Sequence, residues 1–112
     1  MMIYKIFRAD EWAAFEAAGE TTGAPIDLED GYIHISTGAQ VAETVFKYFS
    51  KVEGLKILAL DPDTLGEALK WEPSRGGDLF PHLYRALKME DIVWVKPLPH
   101  GVDGHVFPDG VL

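Results

Sequence analysis

The run Asp30–Thr37 constrains the fold most, because polar and apolar side chains alternate along it with the period of a β-strand. The two isoleucines of this run would face a core, while Tyr32, His34 and Ser36 would share the opposite face. A phenol, an imidazole and a hydroxyl make a poor core but a good binding surface. The pattern therefore predicts a strand that contributes to a functional site.

Two later segments contain similar side chains. In Phe80–Tyr84, His82 and Tyr84 lie two residues apart and would share one face of an extended segment. Glu72 follows Trp71 in another short predicted strand. Because neighbouring strand residues face opposite sides, a buried Trp71 would leave Glu72 exposed or in a cleft.

The first motif admits both functional and structural interpretations. His34 could orient a ligand hydroxyl or act as a general base, or it could be a partly buried histidine with structural hydrogen bonds. Ser36 lies at a strand-to-helix junction, where helix N–H groups could receive an anion. Thr37 is explained at least as well by a capping role at the following helix.

The later residues leave similar alternatives open. Glu72 could be a catalytic carboxylate or a surface ion-pair partner. His82 and Tyr84 could form a site with His34 or pack at a strand edge, and Arg85 could bind phosphate or remain a solvated charge. The candidate catalytic residues are His34, Glu72 and His82, and the candidate ligand-binding residues are Tyr32, Ser36, Thr37, Trp71, Tyr84 and Arg85.

Composition narrows the class of protein. With 112 residues, of which 47% are hydrophobic, the chain is expected to fold as one domain over residues 1–112. The net charge of −8 disfavours nucleic-acid binding, because phosphate backbones would be repelled. A small-molecule ligand is the expected partner, since a few local donors can still bind a small anion. We predict a monomer.

The cellular location is predicted from features that the sequence lacks. There is no cysteine, which excludes disulfides, thiolate zinc sites and a cysteine nucleophile, and is compatible with a reducing compartment. The N-terminal residues lack the apolar region of a signal peptide, and no apolar stretch is long enough to span a membrane. We therefore predict a cytoplasmic protein without membrane contact.

Metal binding has little support in the sequence. His34 and His82 could combine with Glu72 or Asp61 as a two-histidine, one-carboxylate set, but no local spacing favours it. His100 and His105 lie in a glycine-rich tail and are expected to be solvent-exposed. We predict no metal site.

Short strands interleaved with two helices, without a regular βαβ rhythm, predict an α+β fold. We expect a mostly antiparallel or mixed sheet of five to seven short strands, which could divide into two layers. One helix is predicted over Glu11–Ala18, and a capping box at Thr37–Gln40 predicts a second that ends near Ser50. Glu20–Glu29 is predicted to be a loop, and the tail from Pro99 onward to be largely irregular.

The ordered motifs resemble the small bacterial and plant family called domain of unknown function 952. The resemblance covers nearly the whole chain. A glycine usually follows the Pro-His-Leu-Tyr run in that family, where this sequence has Arg85. The matching segments are Asp30–Thr37, Leu69–Glu72, Phe80–Tyr84, Pro97–Leu98, Asp103–Gly104 and Phe107–Pro108.

That family is distantly similar to the ADP-ribosyltransferase fold, whose members bind NAD in a cleft between two small sheets. The resemblance implies that Met2–Phe7 and the first helix form one wall of the cleft. It also implies that His34 holds a ribose hydroxyl, that Tyr32 or Tyr84 stacks on a ring, and that Glu72 is the catalytic glutamate.

The leading hypothesis is thus an enzyme that acts on NAD or an ADP-ribose-type nucleotide, as a transferase or hydrolase. NAD would be its substrate, and no separate cofactor is predicted. The alternatives are a small-metabolite binding module without turnover, or a protein-interaction domain.

Overall fold

The computed structural model describes residues 1–112, apart from the side chain of Arg75, and has an α+β fold. The helices are α1 (Ala9–Ala18), α2 (Pro25–Asp30), α3 (Val41–Tyr48) and α4 (Pro62–Leu65), with 3₁₀ turns at Gly66–Ala68, Arg75–Gly77 and Met89–Asp91. The strands are β1 (Ile3–Phe7), β2 (Glu20–Thr21), β3 (Ile33–His34), β4 (Ser36–Thr37), β5 (Leu55–Leu60), β6 (Leu69–Pro73), β7 (Leu79–Leu83), β8 (Leu87–Lys88), β9 (Ile92–Leu98), β10 (His100–Gly101) and β11 (Gly104–His105).

Two antiparallel sheets organise the chain. The larger has four strands in the order β4-β1-β5-β9, and the smaller has three in the order β3-β7-β6. Two short antiparallel ribbons, β2–β8 and β10–β11, complete the strand pairing. The prediction of an α+β fold with five to seven strands in two layers is confirmed by these two sheets. Both predicted helices are present, together with the shorter α2 and α4.

Hydrophobic packing lies on both faces of the larger sheet. Alternate residues of β1 and β5 contribute to two different cores, which is why β5 is apolar on both faces. The first core lies between the two sheets and includes Ile3, Phe7, Ile33 and Leu83. The second lies under α3. Lys5 lies on the face of β1 that points toward the first core. Its side chain is buried, so its charge requires a partner.

The chain crosses from one sheet to the other inside the Asp30–Thr37 motif. β3 pairs with β7 in the smaller sheet, whereas β4 pairs with β1 in the larger one. Ile35 lies between the two short strands, and its N–H donates to the carbonyl of Pro81 at 3.0 Å. The prediction of one continuous strand from Tyr32 to Ser36 is therefore wrong, because its two halves belong to different sheets.

The prediction of a loop over Glu20–Glu29 is also wrong. The segment contains β2 and helix α2, which begins with Pro25 in its first turn and is followed by Gly31 at φ 84°. Pro suits the first helical position, and Gly suits the left-handed residue that ends a helix. Periodicity missed α2 because a six-residue helix is too short to show an apolar stripe.

The second predicted helix is shorter than expected. Residues Thr37–Gln40 form a turn, and α3 starts at Val41 and ends at Tyr48. Within the turn the Thr37 N–H donates to Gln40 Oε1 at 3.1 Å, which is one half of the predicted capping box.

The C-terminal tail is more ordered than predicted, because β10 and β11 pair as a short ribbon. His100 is exposed, but the expected exposure of His105 is wrong. The His105 ring is half-buried, and Nε2 lies 2.7 Å from the carbonyl of Val52, to which it donates. Among the described residues, no helix has the length and apolar character needed to cross a membrane.

Candidate functional site

A cleft of about 540 Å³ opens where the chain crosses between the sheets. β4 pairs only with Ile3 and Tyr4 of β1, so the rest of that strand edge is left without a β4 partner. Helix α2, the end of α3 and strand β7 form the walls. The polar side chains that line the cleft include Lys5, Asp30, Tyr32, His34, Ser36 and His82.

Asp27 holds His34 from beneath the cleft. Its Oδ1 lies 2.6 Å from His34 Nδ1 and 2.9 Å from the His34 backbone N–H. Its Oδ2 accepts from Lys5 Nζ at 2.7 Å and from the Ala24 N–H at 2.8 Å. Lys5 also donates to the His34 carbonyl at 2.9 Å. Helix α2, strand β1 and strand β3 are therefore joined through one buried carboxylate.

This network sets the protonation state of Asp27. Burial raises the pKa of Asp27, but the hydrogen bond from His34 and the charge of Lys5 outweigh burial and lower the pKa to about 2. An ionised carboxylate can only accept hydrogen bonds, so His34 Nδ1 must carry the proton it donates. The other ring nitrogen, His34 Nε2, lies 3.0 Å from Asp30 Oδ2, so the two side chains are in direct contact at the cleft.

Acid should weaken the fold through Asp27. Its folded pKa of about 2 is below the ordinary 3.8, so its stabilisation is complete above pH 4 and is lost as pH falls from about 4 to about 2. The loss should approach roughly 2 kcal/mol. Urea unfolding at a series of pH values measures this. In the Asp27→Asn variant the slope in this pH window should be smaller, and an unchanged slope would contradict this assignment.

A second carboxylate–histidine pair lies on the smaller sheet. Glu72 Oε1 accepts from His82 Nδ1 at 2.8 Å and from the Tyr84 hydroxyl at 2.6 Å. The hydrogen bond from Tyr84, and then that from His82, lower the pKa of Glu72. The same bond raises the pKa of Tyr84 to about 12. The His82 side chain is 2% exposed, and among the described side chains its Nε2 is buried without a hydrogen-bond partner.

The unpartnered nitrogen is notable because buried polar atoms almost always have partners. With Nδ1–H given to Glu72, the Nε2 of a neutral His82 ring is an acceptor. A ligand donor would satisfy it. Since His82 also lines the cleft, this atom is the clearest indication of a binding site.

Removal of the Tyr84 hydroxyl should change the titration of Glu72. In a Tyr84→Phe variant we expect the pKa of Glu72 to rise toward its ordinary value, because the strongest hydrogen bond to the carboxylate is lost. Carboxyl ¹³C NMR across an acid titration measures this pKa. Tyr48→Phe is the matched control, since Tyr48 lies on α3. Equal Glu72 titration curves in wild type and Tyr84→Phe would contradict the assigned contact.

Tyr32 joins the two pairs. Its ring centroid lies 4.1 Å from that of His82, 4.6 Å from that of His34 and 5.2 Å from that of Tyr84. The rings of His34 and His82 are 5.5 Å apart. Burial raises the pKa of Tyr32, and the negative charges of Asp30, Glu72 and Asp27 raise it further. The structure thus brings together five of the predicted site residues, including Glu72.

The predicted hydroxyl residues lie elsewhere in the cleft or outside it. Ser36 is buried, and its Oγ lies 2.9 Å from Thr44 Oγ1 on α3. Thr44 in turn donates to the Gln40 carbonyl at 3.2 Å. Thr37 is outside the cleft lining and belongs to the turn before α3.

Trp71 and Arg85 are also outside the cleft lining. Trp71 pairs with Pro81, so it faces the side of the smaller sheet opposite to Glu72 and His82, and it is 39% exposed. Arg85 makes a two-pronged ion pair with Asp91 at 2.8 and 3.0 Å. This pair lowers the pKa of Asp91 through the hydrogen bonds from Arg85.

Four functional candidates are not predicted from the sequence: Lys5, Arg8, Asp27 and Asp30. The two aspartates have one sequence signal. Pro25, Asp27 and the Asp30-Gly31 pair match a short helix that starts with proline and ends before glycine. For Lys5 the signal was a charge at the centre of an apolar strand. Among the residues described here, no group of three or more acidic or histidine side chains is arranged to hold a metal ion.

Comparison with solved structures gives a close match. The crystal structure of protein CC0527 from Caulobacter crescentus is 45% identical, with a TM-score of 0.89, and the match covers 94% of this chain and 92% of that chain. The solution NMR structure of CC0527 is 45% identical, with a TM-score of 0.83 over 93% of this chain and 90% of that one. Both were structural genomics targets.

Among curated proteins, no significant match is found. The family model described as Protein of unknown function (DUF952) matches residues 6–95, which include the whole cluster around Tyr32. This span is well over half of the chain, and it confirms the resemblance seen in the sequence. The chain belongs to the family described as Protein of unknown function (DUF952).

Proposed function

We propose that this chain binds and cleaves NAD, or another compound that contains an ADP-ribose group, in the cleft between its two sheets. The observation that supports this most is the pair of histidines at the cleft, each with Nδ1 bound to a carboxylate. Fixed Nδ1–H groups orient the rings, so that His82 Nε2 is left without a partner and His34 Nε2 lies against Asp30. The cleft volume of about 540 Å³ is typical of a small-molecule site.

The sugar is the part of the ligand that suits this histidine pair. One ribose hydroxyl can donate a hydrogen bond to His82 Nε2, and another can form a hydrogen bond with His34 Nε2. The Tyr32 ring, which packs against both histidines, would stack on the base beside that ribose. These roles agree with those implied by the family resemblance for His34 and Tyr32.

The phosphates need a cation, since the chain has a net charge of −8. Arg8 lines the cleft, and its guanidinium lies 4.8 Å from the Phe49 ring centroid. Its contact with Glu11 is 3.6 Å long and partly exposed, so this pair is weak. Arg8 is therefore our candidate for the pyrophosphate partner.

Glu72 takes a different role from the one implied by the resemblance. Its carboxylate binds His82 and Tyr84 and does not line the cleft. We therefore assign it as a positioning residue that orients His82. Trp71 and Arg85 have no role in the proposal.

The test is to incubate NAD with the purified protein and to separate nicotinamide and ADP-ribose by chromatography. Wild type should release nicotinamide, and His82→Phe should not. Phe keeps the shape of the buried ring and removes the unpartnered Nε2, so the melting temperature should be unchanged or higher.

The control is His100→Phe, which lies in the tail ribbon and should keep the activity. Binding of NAD without release of nicotinamide would identify a binding module instead of an enzyme. Failure to bind NAD or ADP-ribose at millimolar concentration would contradict the proposal as a whole and favour a protein partner.

A further inference from the structure

We infer that Asp30, and not Glu72, is the carboxylate that contacts the reacting sugar when the glycosidic bond is cleaved. This inference rests on the proposed function and assigns a further catalytic residue to the same cleft. It is drawn from the positions of the three carboxylates around the histidine pair.

Only one of these carboxylates has an oxygen available to a ligand in the cleft. Asp27 is buried, and its two oxygens already accept from four donors. Glu72 is outside the cleft lining and is held by two donors. Asp30 lines the cleft, its side chain is 39% exposed, and its Oδ2 lies 3.0 Å from His34 Nε2.

The local backbone explains this position. Asp30 is the last residue of α2, and Gly31 at φ 84° turns the chain toward Tyr32, which directly precedes β3. The same short turn therefore supplies the carboxylate and the stacking ring. Asp27, one turn earlier on α2, fixes the helix to His34.

Asp30 brings a negative charge to the His34 side of the cleft. Lys5 is committed to Asp27 at 2.7 Å, which leaves the charge of Asp30 without a lysine or arginine partner among the described ion pairs. Among the charged groups that raise the pKa of Tyr32, Asp30 has the largest effect. Its electric field therefore reaches the ring that would stack on the base. A carboxylate at this position favours a substrate whose sugar becomes cationic as it reacts.

The reaction balances with water as the second reactant. The bond between ribose C1′ and the nicotinamide nitrogen breaks, and its electron pair goes to that nitrogen, which neutralises the pyridinium. Asp30 stabilises the positive charge that develops on C1′ and the ring oxygen. The oxygen of water then bonds to C1′, and its proton passes to the Asp30 carboxylate and on to solvent. The products are ADP-ribose, nicotinamide and one proton.

Steady-state release of nicotinamide from NAD by four variants tests this assignment. Asp30→Asn should lower kcat by about 100-fold with KM changed only a few-fold, because the charge acts mainly in the transition state. Asp30→Glu should recover part of kcat. Glu29→Gln, which alters an exposed neighbour on the same helix, should match wild type. Glu72→Gln should lower kcat less than Asp30→Asn does.

The outcomes separate this inference from the proposed function. If wild type neither binds nor cleaves NAD, both are contradicted. If wild type is active and Asp30→Asn keeps kcat within about two-fold, or Glu72→Gln loses more than Asp30→Asn, the proposed function stands and the assignment of Asp30 is overturned. Melting temperatures of all variants exclude unfolding as the cause, since Asp30 lies at an exposed helix end.

Discussion

Replacement of Asp27 by Asn is expected to lower the free energy of unfolding by about 3–5 kcal/mol. The reason is the number of groups that depend on one buried carboxylate. The ammonium of Lys5 would remain buried without its counter-charge, and the amide group can accept fewer of the four donors that Asp27 now receives. Urea unfolding measures the effect, and Glu29→Gln on the same helix should change stability by less than about 0.5 kcal/mol.

A double variant tests the origin of this loss. If the unpaired Lys5 charge is the main cost, Lys5→Met in the Asp27→Asn background should restore part of the lost stability. A single Asp27→Asn variant that loses less than about 1 kcal/mol would contradict the buried network. It would also remove the argument that His34 is held in one tautomer.

Replacement of His34 by Asn is expected to lower turnover of NAD by about 10²–10³-fold, the loss typical of removing one preorganised hydrogen bond to the reacting group. Asn retains a short N–H donor for Asp27 but has no atom at the position of Nε2. The fold should therefore survive while the ligand contact is lost. The comparison is with His100→Asn, an exposed histidine of the tail ribbon.

Stability and activity together decide this prediction. A His34→Asn variant with near wild-type melting temperature and strongly reduced turnover would agree with a site role. Full turnover in a folded His34→Asn variant would exclude His34 from the chemistry. A large drop in melting temperature, with activity lost in proportion to unfolding, would assign His34 a structural role only.

Strand alternation accounts for the part of the site that was predictable. The alternation of polar and apolar residues along Asp30–Thr37 predicts Tyr32 and His34, and the spacing of two residues in Phe80–Tyr84 predicts His82 and Tyr84. The pairing of β3 with β7 then sets His34 directly opposite His82. No local pattern fixes that register, since it depends on the pairing of two strands that are distant in the sequence.

The remaining site residues depend on contacts between distant segments. Asp27 and Asp30 belong to a short helix whose sequence is polar enough to resemble a loop, and Lys5 is 22 residues away from its partner Asp27. Trp71 is a predicted ligand-binding residue because it precedes Glu72 in the sequence. Alternation along β6 directs its side chain away from His82. The division of Tyr32–Ser36 between two sheets could not be anticipated, because the turn at Ile35 is set by its bond to Pro81.

An NMR titration shows directly whether the cleft between the sheets binds an ADP-ribose-type ligand. ADP-ribose, NAD and nicotinamide would be added to labelled protein while histidine-ring and amide signals are followed. We expect saturable shifts at His34, His82, Tyr32 and Asp30, with His100 and His105 unchanged. No shifts at millimolar ADP-ribose and NAD, or shifts confined to the tail histidines, would contradict the account.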